Sequence, residues 1–250
     1  MKKIISVLTF VCLFAVVDSF AQIGPQGYNP NSVRPILEDD VMYRTTIWRR
    51  INLLEKQNKP FFSFDNEVTR VIIDAVREKK VQAYYPKSNP RDTGFEEPME
   101  MDEFEKNLSY YNDVFQDSVI IRPSELYILE VKEDLIFDRR RSRMYWDIQS
   151  LTMVIPQGTS PESEMGDIPF ATFKFKDLYE YFREAYNASQ EKGSFADLRA
   201  FWYNPENPRR HVALGDAFEL RLFSSRIFKV SNPDDKDILN IVTEEYGDDP

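Results

Sequence analysis

The sequence predicts an α+β fold, an antiparallel β-hairpin core packed with amphipathic helices. Two runs, Leu126 to Phe137 and Met144 to Ile155, are apolar, β-branched and aromatic, and only the six polar residues Asp138 to Arg143 separate them. That pattern is a hairpin with a basic tip formed by Arg139, Arg140 and Arg141, with Arg143 beside it. Elsewhere the apolar period lengthens to that of a helix. Val68, Val71, Ile72, Ala75 and Val76 form one stripe, and Leu178, Tyr181, Phe182, Ala185 and Tyr186 form another. The mixture of periods, with strands and helices in separate runs, is what an α+β chain shows.

From the N-terminus, Lys2 and Lys3 precede an apolar run from Ile4 to Val17 and the small-residue site Ser19-Phe20-Ala21. This reads as a secretory signal peptide, residues 1–21, cleaved after Ala21. Cys12 lies in the middle of the run, not at its end after small residues, so the pattern predicts no lipid anchor of the chain's own. The mature chain is then exported and free of thiols, which removes disulfides, thiolate nucleophiles and zinc–thiolate sites. Its 229 residues are enough for one sizeable core or two small ones.

Residues 22–36 are rich in Pro, Gly, Asn and Gln and predict an extended arm. A globular region, 37–233, follows, with a division at 37–115 and 120–233 left open. Val41, Thr45, Trp48, Ile51 and Leu54 recur at helical spacing, so 37–56 predicts a helix; alternation across Thr45 to Leu53 keeps a strand in play. Asp65 is placed to cap the helix that begins near Val68. Tyr85 to Pro98 reads as a surface loop, Phe104, Leu108 and Tyr111 as a short helix, Gln157 to Asp167 as a second loop and Pro169 to Phe175 as a strand. A helix is expected from Ser194 to Trp202. Ala213 to Val230 fits a helix with an end that can be extended. The tail, 234–250, is acidic.

Composition excludes several functions. Removing Lys2, Lys3 and Asp18 leaves 30 basic and 41 acidic residues, a net charge of −11, which repels nucleic acid and anionic lipid. The single histidine, His211, cannot build a His-pair metal site, and with 8 glycines no phosphate-binding loop appears. Asp234, Asp235 and Asp237 lack the spacing of a calcium loop and read as a solvated turn. No cofactor is expected. Carboxylates are abundant, as in Glu38-Asp39-Asp40 and Glu96-Glu97, and leave a periplasmic carboxylate-dependent hydrolase as the alternative function.

One set of segments is distinctive in combination: Asp40 to Tyr43, Ile47 to Leu53, Glu55 to Pro60, Ile73 to Val76 with Ala83-Tyr84, Leu220 to Ile227, and Lys229 to Pro233. In this order the chain resembles the gliding motility protein family GldN, called PorN in non-gliding relatives, of Bacteroidetes. The resemblance implies a non-enzymatic periplasmic subunit of the type IX secretion system. It implies a ring formed with an outer-membrane lipoprotein of the GldK or PorK type, in contact with the periplasmic part of the motor subunit GldM or PorM. The missing lipid site fits that scheme, because the partner would supply the anchor.

A ring of one subunit needs two different faces. The arginine tip (Arg139, Arg140, Arg141, Arg143) and the acidic tail beginning at Asp234 and Asp235 are candidates, alongside their plain reading as a solvated hairpin end and a disordered tail. Trp48 with Arg49 and Arg50 is a further candidate, since Trp and Arg anchor interfaces; Trp48 as a core residue is the competing reading.

Overall fold

The computed structural model describes residues 27–86, 95–112, 116–191 and 198–247. In chain order its elements are β1 (Val41–Asn52), the small hairpin β2 (Phe62–Ser63) and β3 (Asn66–Glu67), α1 (Val68–Arg77), β4 (Ala83–Tyr84) and α2 (Met101–Asn107). Next come the hairpin β5 (Ser109–Asn112) and β6 (Asp117–Ile120), the long hairpin β7 (Ile128–Asp138) and β8 (Arg143–Ile155), then β9 (Ile168–Lys174) and α3 (Phe175–Glu191). The pair β10 (Phe201–Trp202) and β11 (Val212–Ala213), α4 (Leu214–Glu219), β12 (Arg226–Val230) and α5 (Ile238–Tyr246) complete the described chain. Six strands form one sheet in the order β12-β1-β7-β8-β9-β4, antiparallel throughout. The α+β class and the central hairpin are as expected.

The hairpin turns where the sequence placed its basic tip. Asp138 accepts the Arg141 N–H at 3.0 Å and its side chain at 2.7 Å, and Ser142 adopts the left-handed conformation at φ 51°. Down the sheet, Ile51, Leu129, Met153 and Ala171 sit opposite one another on four adjacent strands, each almost fully buried. They join Ile72 and Ala75 of α1 and Leu178 and Phe182 of α3 in one apolar cluster. Full burial of each such leucine or phenylalanine contributes about 2–3 kcal/mol. The sheet draws β1 and β4 from 37–115 and β7, β8, β9 and β12 from 120–233, so both stretches share one core.

Several local expectations are corrected. The segment from Val41 to Asn52 is the strand that alternation kept in play, not the helix, because it pairs along its length with β7. Asp65 does not cap α1: it turns the β2–β3 hairpin at φ 60°, and Glu67 precedes the helix. Tyr111 belongs to β5, not to the helix before it. Phe201 and Trp202 are strand residues paired with Ala213 and Val212, which rules out a helix to Trp202; 192–197 lie outside the described residues. The ambiguous 213–230 stretch divides into α4 and the extended β12.

The signal peptide and residues 22–26 lie outside the described residues, as do 87–94 of the first loop. The rest of the arm is docked. Asn29 donates to Gln149 and Ser32 to Asp147, each at 2.8 Å, just beyond the last β8–β9 pair at Ser150. The arm thus lies against side chains of the part of β8 that β9 leaves unpaired.

Candidate interaction surface

Alternation along β1 sends Ile47, Arg49 and Ile51 to the face of the buried row and Trp48 and Arg50 to the other. The three candidates therefore divide. Trp48 is half-buried, with the ammonium groups of Lys132 and Lys229 lying 5.6 and 5.2 Å from its ring centre. It is outside the main apolar cluster, and the surrounding cations make its ring a cation–π platform. Arg50, on the same side, binds Glu130 and, at 3.0 Å, Asp167, and lies over the Phe228 ring.

Arg49 turns inward and is bound to Glu133, whose side chain is fully buried. Arg221 reaches the same carboxylate from the turn after α4, at 2.6 Å. Both guanidinium groups also lie over the Trp146 ring, 4.6 and 4.7 Å from its centre. Glu133, Arg221 and Trp146 were not among the sequence candidates. Each looks ordinary in its own segment, and only the register that sets Glu133 opposite Ile47 brings them together. The cluster fastens the turn after α4 to the sheet; a buried carboxylate is tolerated only with such partners.

At the far end of the sheet Arg139, Arg140, Arg141 and Arg143 are all exposed. The fold adds neighbours that the sequence did not place there. Arg139 donates to the Asp39 carbonyl at 3.1 Å, Arg44 pairs with Glu38 at 2.7 Å, and Arg141 with Asp138. The acidic turn Glu38–Asp40 thus stands beside the basic tip. In the tail, Asp234 is exposed and Asp235 pairs with Lys229 at 2.6 Å. The tail then forms α5, in place of the disordered tail of the plain reading.

Asp134 and Asp147, the carboxylate pair that the β7–β8 register creates, face each other directly. Burial pushes the Asp147 carboxyl up to about 6, and Asp134 is raised for the same reason. Thr46 donates to Asp134, and Ser32 and Gln149 to Asp147, so both side chains hold the arm and the sheet together. His211 is buried against Phe201 and Tyr203, accepts the Asn204 N–H on Nδ1 at 3.0 Å, and has its pKa lowered by burial. A polar cleft of about 660 Å³ runs between α1 and α3, lined by Arg70, Asp74, Glu78, Tyr181, Glu184 and Arg199. Burial and the nearby Glu78 and Asp74 push the Tyr181 hydroxyl up to about 12, which makes it a hydrogen-bond donor and not a base. Among the described residues no group of three or more His, Cys, Asp or Glu side chains is placed to hold a metal ion, and no helix is long and apolar enough to cross a membrane.

The fold and its surface define an α+β module built on one main antiparallel sheet, in which ion pairs such as Arg49 and Arg221 with Glu133 tie segments to one another. Comparison with family models gives the lineage: the model for the gliding motility associated protein GldN matches residues 36–249, and the chain belongs to that family. It is accordingly a gliding-motility-associated protein. No curated protein matches it.

Proposed function

We propose that this chain is a non-enzymatic structural subunit of the type IX secretion and gliding machinery. In this reading it works in the periplasm and forms a ring with an outer-membrane lipoprotein of the GldK or PorK type. The ring in turn meets the periplasmic part of a GldM- or PorM-type motor subunit. The observation that carries the reading is the family match across 36–249. The sequence supports export through the charged and apolar 1–21 segment, and Cys12 is misplaced for lipidation, which calls for a lipidated partner.

The geometry favours binding over hydrolysis. Asp134 and Asp147 would be the obvious carboxylate pair for a hydrolase, yet their oxygens accept bonds from Thr46, Ser32 and Gln149. What remains free for work is surface: Met42, Tyr43 and Met144 at one end of the sheet and Leu239 in the tail are all half or more exposed, or nearly so. Deleting the gene should stop export of cargo carrying the system's C-terminal signal, and the full-length gene should restore it. Normal export in the deletion strain would refute the assignment.

A further inference from the structure

Among the described residues, two of the surfaces that leave apolar side chains in solvent carry unlike charge. The first is α5. Ile238, Leu239, Ile241 and Val242 are 37, 74, 38 and 46% exposed, so its apolar side chains cover little of their own molecule. A nine-residue helix is marginal in water without packing. Its base is nonetheless fixed: Asn232 donates to the Val230 and Lys236 carbonyls at 2.8 and 2.7 Å, and Asp235 pairs with Lys229.

The second surface is the far end of the sheet. Tyr43, Phe137 and Met144 stand opposite one another on β1, β7 and β8, with Tyr43 and Met144 about half exposed. Leu135 and Trp146 form the next row. β12 pairs only with Ile47 to Arg50, and the chain leaves with the Ser231 N–H on the Thr46 carbonyl. From Val41 to Thr45 the β1 edge therefore has no strand beside it on that side among the described residues, and Met42 there is 71% exposed.

These surfaces differ and lie on opposite sides of the sheet. The row shares the face of Arg49, whereas Lys229, which anchors the tail, lies over Trp48 on the other. Their charges also differ. Arg140 and Arg143 are exposed at the hairpin end that bounds the row, Arg143 on the opposite face from Met144, and the tail from Asp234 to Glu245 carries five acids against the single Lys236. Two unlike, complementary patches on one chain make a head-to-tail contact, the kind that closes a ring when its rotation allows.

We infer that α5 of one copy docks its Leu239 and Val242 side on the Tyr43–Phe137–Met144 row of a second copy, with the tail acids at the basic hairpin end around Arg140. This rests on the assembly reading above and specifies which surfaces meet.

Cysteine pairing tests it, because Cys12 is the only natural cysteine and falls in the predicted signal peptide. Leu239→Cys and Met144→Cys copies carrying different tags would be expressed together in cells and oxidised in situ. A disulfide product of twice the chain mass containing both tags is expected, and the doubly substituted chain should give a ladder of multiples. Products from Leu239→Cys or Met144→Cys alone would mean a symmetric contact, and a fast-migrating monomer from the double variant would mean the tail folds on its own chain. Either outcome, or no product while the protein still co-purifies with its lipoprotein, overturns the inference. Only loss of that co-purification from the unsubstituted protein would count against the assembly reading itself.

Discussion

Asn58 holds both sides of Ser224: its Oδ1 accepts the Ser224 N–H at 2.7 Å and its Nδ2 donates to the Ser224 carbonyl at 2.9 Å. The same amide donates to the Asn52 carbonyl at 2.8 Å and is fully buried. Through it the end of β1 is joined to the segment that leads into β12. Asn58→Ala should cost about 2–4 kcal/mol, since it strands buried backbone groups. Asn58→Asp should cost at least as much, because it removes the donor and buries a charge. Denaturant unfolding checks both, and a loss below about 1 kcal/mol would show the bridge to be incidental.

The Glu133 cluster makes a sharper case. Glu133→Ala leaves Arg49 and Arg221 facing each other without their anion and should destabilise by about 3–5 kcal/mol. Replacing all three with apolar residues of similar volume should recover most of that loss. Failure of the triple variant to exceed Glu133→Ala in urea midpoint would contradict an electrostatic origin.

Stability should peak in mild acid. Asp147 has a folded pKa near 6 against an ordinary 3.8, so the native state binds its proton more tightly than the unfolded chain does. Its burial as an anion costs up to about 3 kcal/mol above pH 6. That cost is relieved as pH falls from 6 towards 4, and Glu130, Asp134 and Glu219 are raised in the same direction. Glu105, Glu125 and Asp138 are lowered by Arg77, Arg122 and Arg141, so their support is lost as pH falls below the usual carboxylate range. The melting temperature should therefore rise from pH 8 to pH 5 and fall again below pH 4. In Asp147→Asn the rise should shrink; an unchanged profile would remove Asp147 as its source.

The same network explains what could be read from the sequence alone. The β7–β8 hairpin, α1, β9 and α3 were legible because each has one apolar face of regular period, and their partners are neighbours in the chain or a shared core. β1 is ambiguous in the sequence, helix against strand, because a charge stands in its buried row: Arg49 sits between Ile47 and Ile51, and the carboxylate that allows it there is 84 positions away. The short β10–β11 pair has two residues a side, too few for any period to show. The basic tip was visible as a sequence, but its acidic neighbour Glu38–Asp40 was not, because the register of β1 with β7 brings them together. For the candidate surface, residue types were legible and their grouping was not.

The arginine tip gives a test of its own. Converting Arg139, Arg140 and Arg141 to glutamate reverses the charge of the hairpin end while leaving the core untouched; Arg141 also loses its Asp138 partner. Assembly should weaken several-fold, and the deficit should narrow as salt rises from about 0.05 to 0.5 M, where exposed charges are screened. Wild-type assembly by this variant at all salt concentrations would eliminate the tip as a contact.

We propose above that this chain works as part of a large periplasmic assembly. The most direct measurement is the mass of the particle that the tagged mature chain forms with its candidate outer-membrane lipoprotein, compared with the chain alone. The account predicts that the two co-purify as a particle many times the mass of a single pair, with multiple copies of each. Two proteins that never co-purify, or a complex that stops at one copy of each, would contradict it.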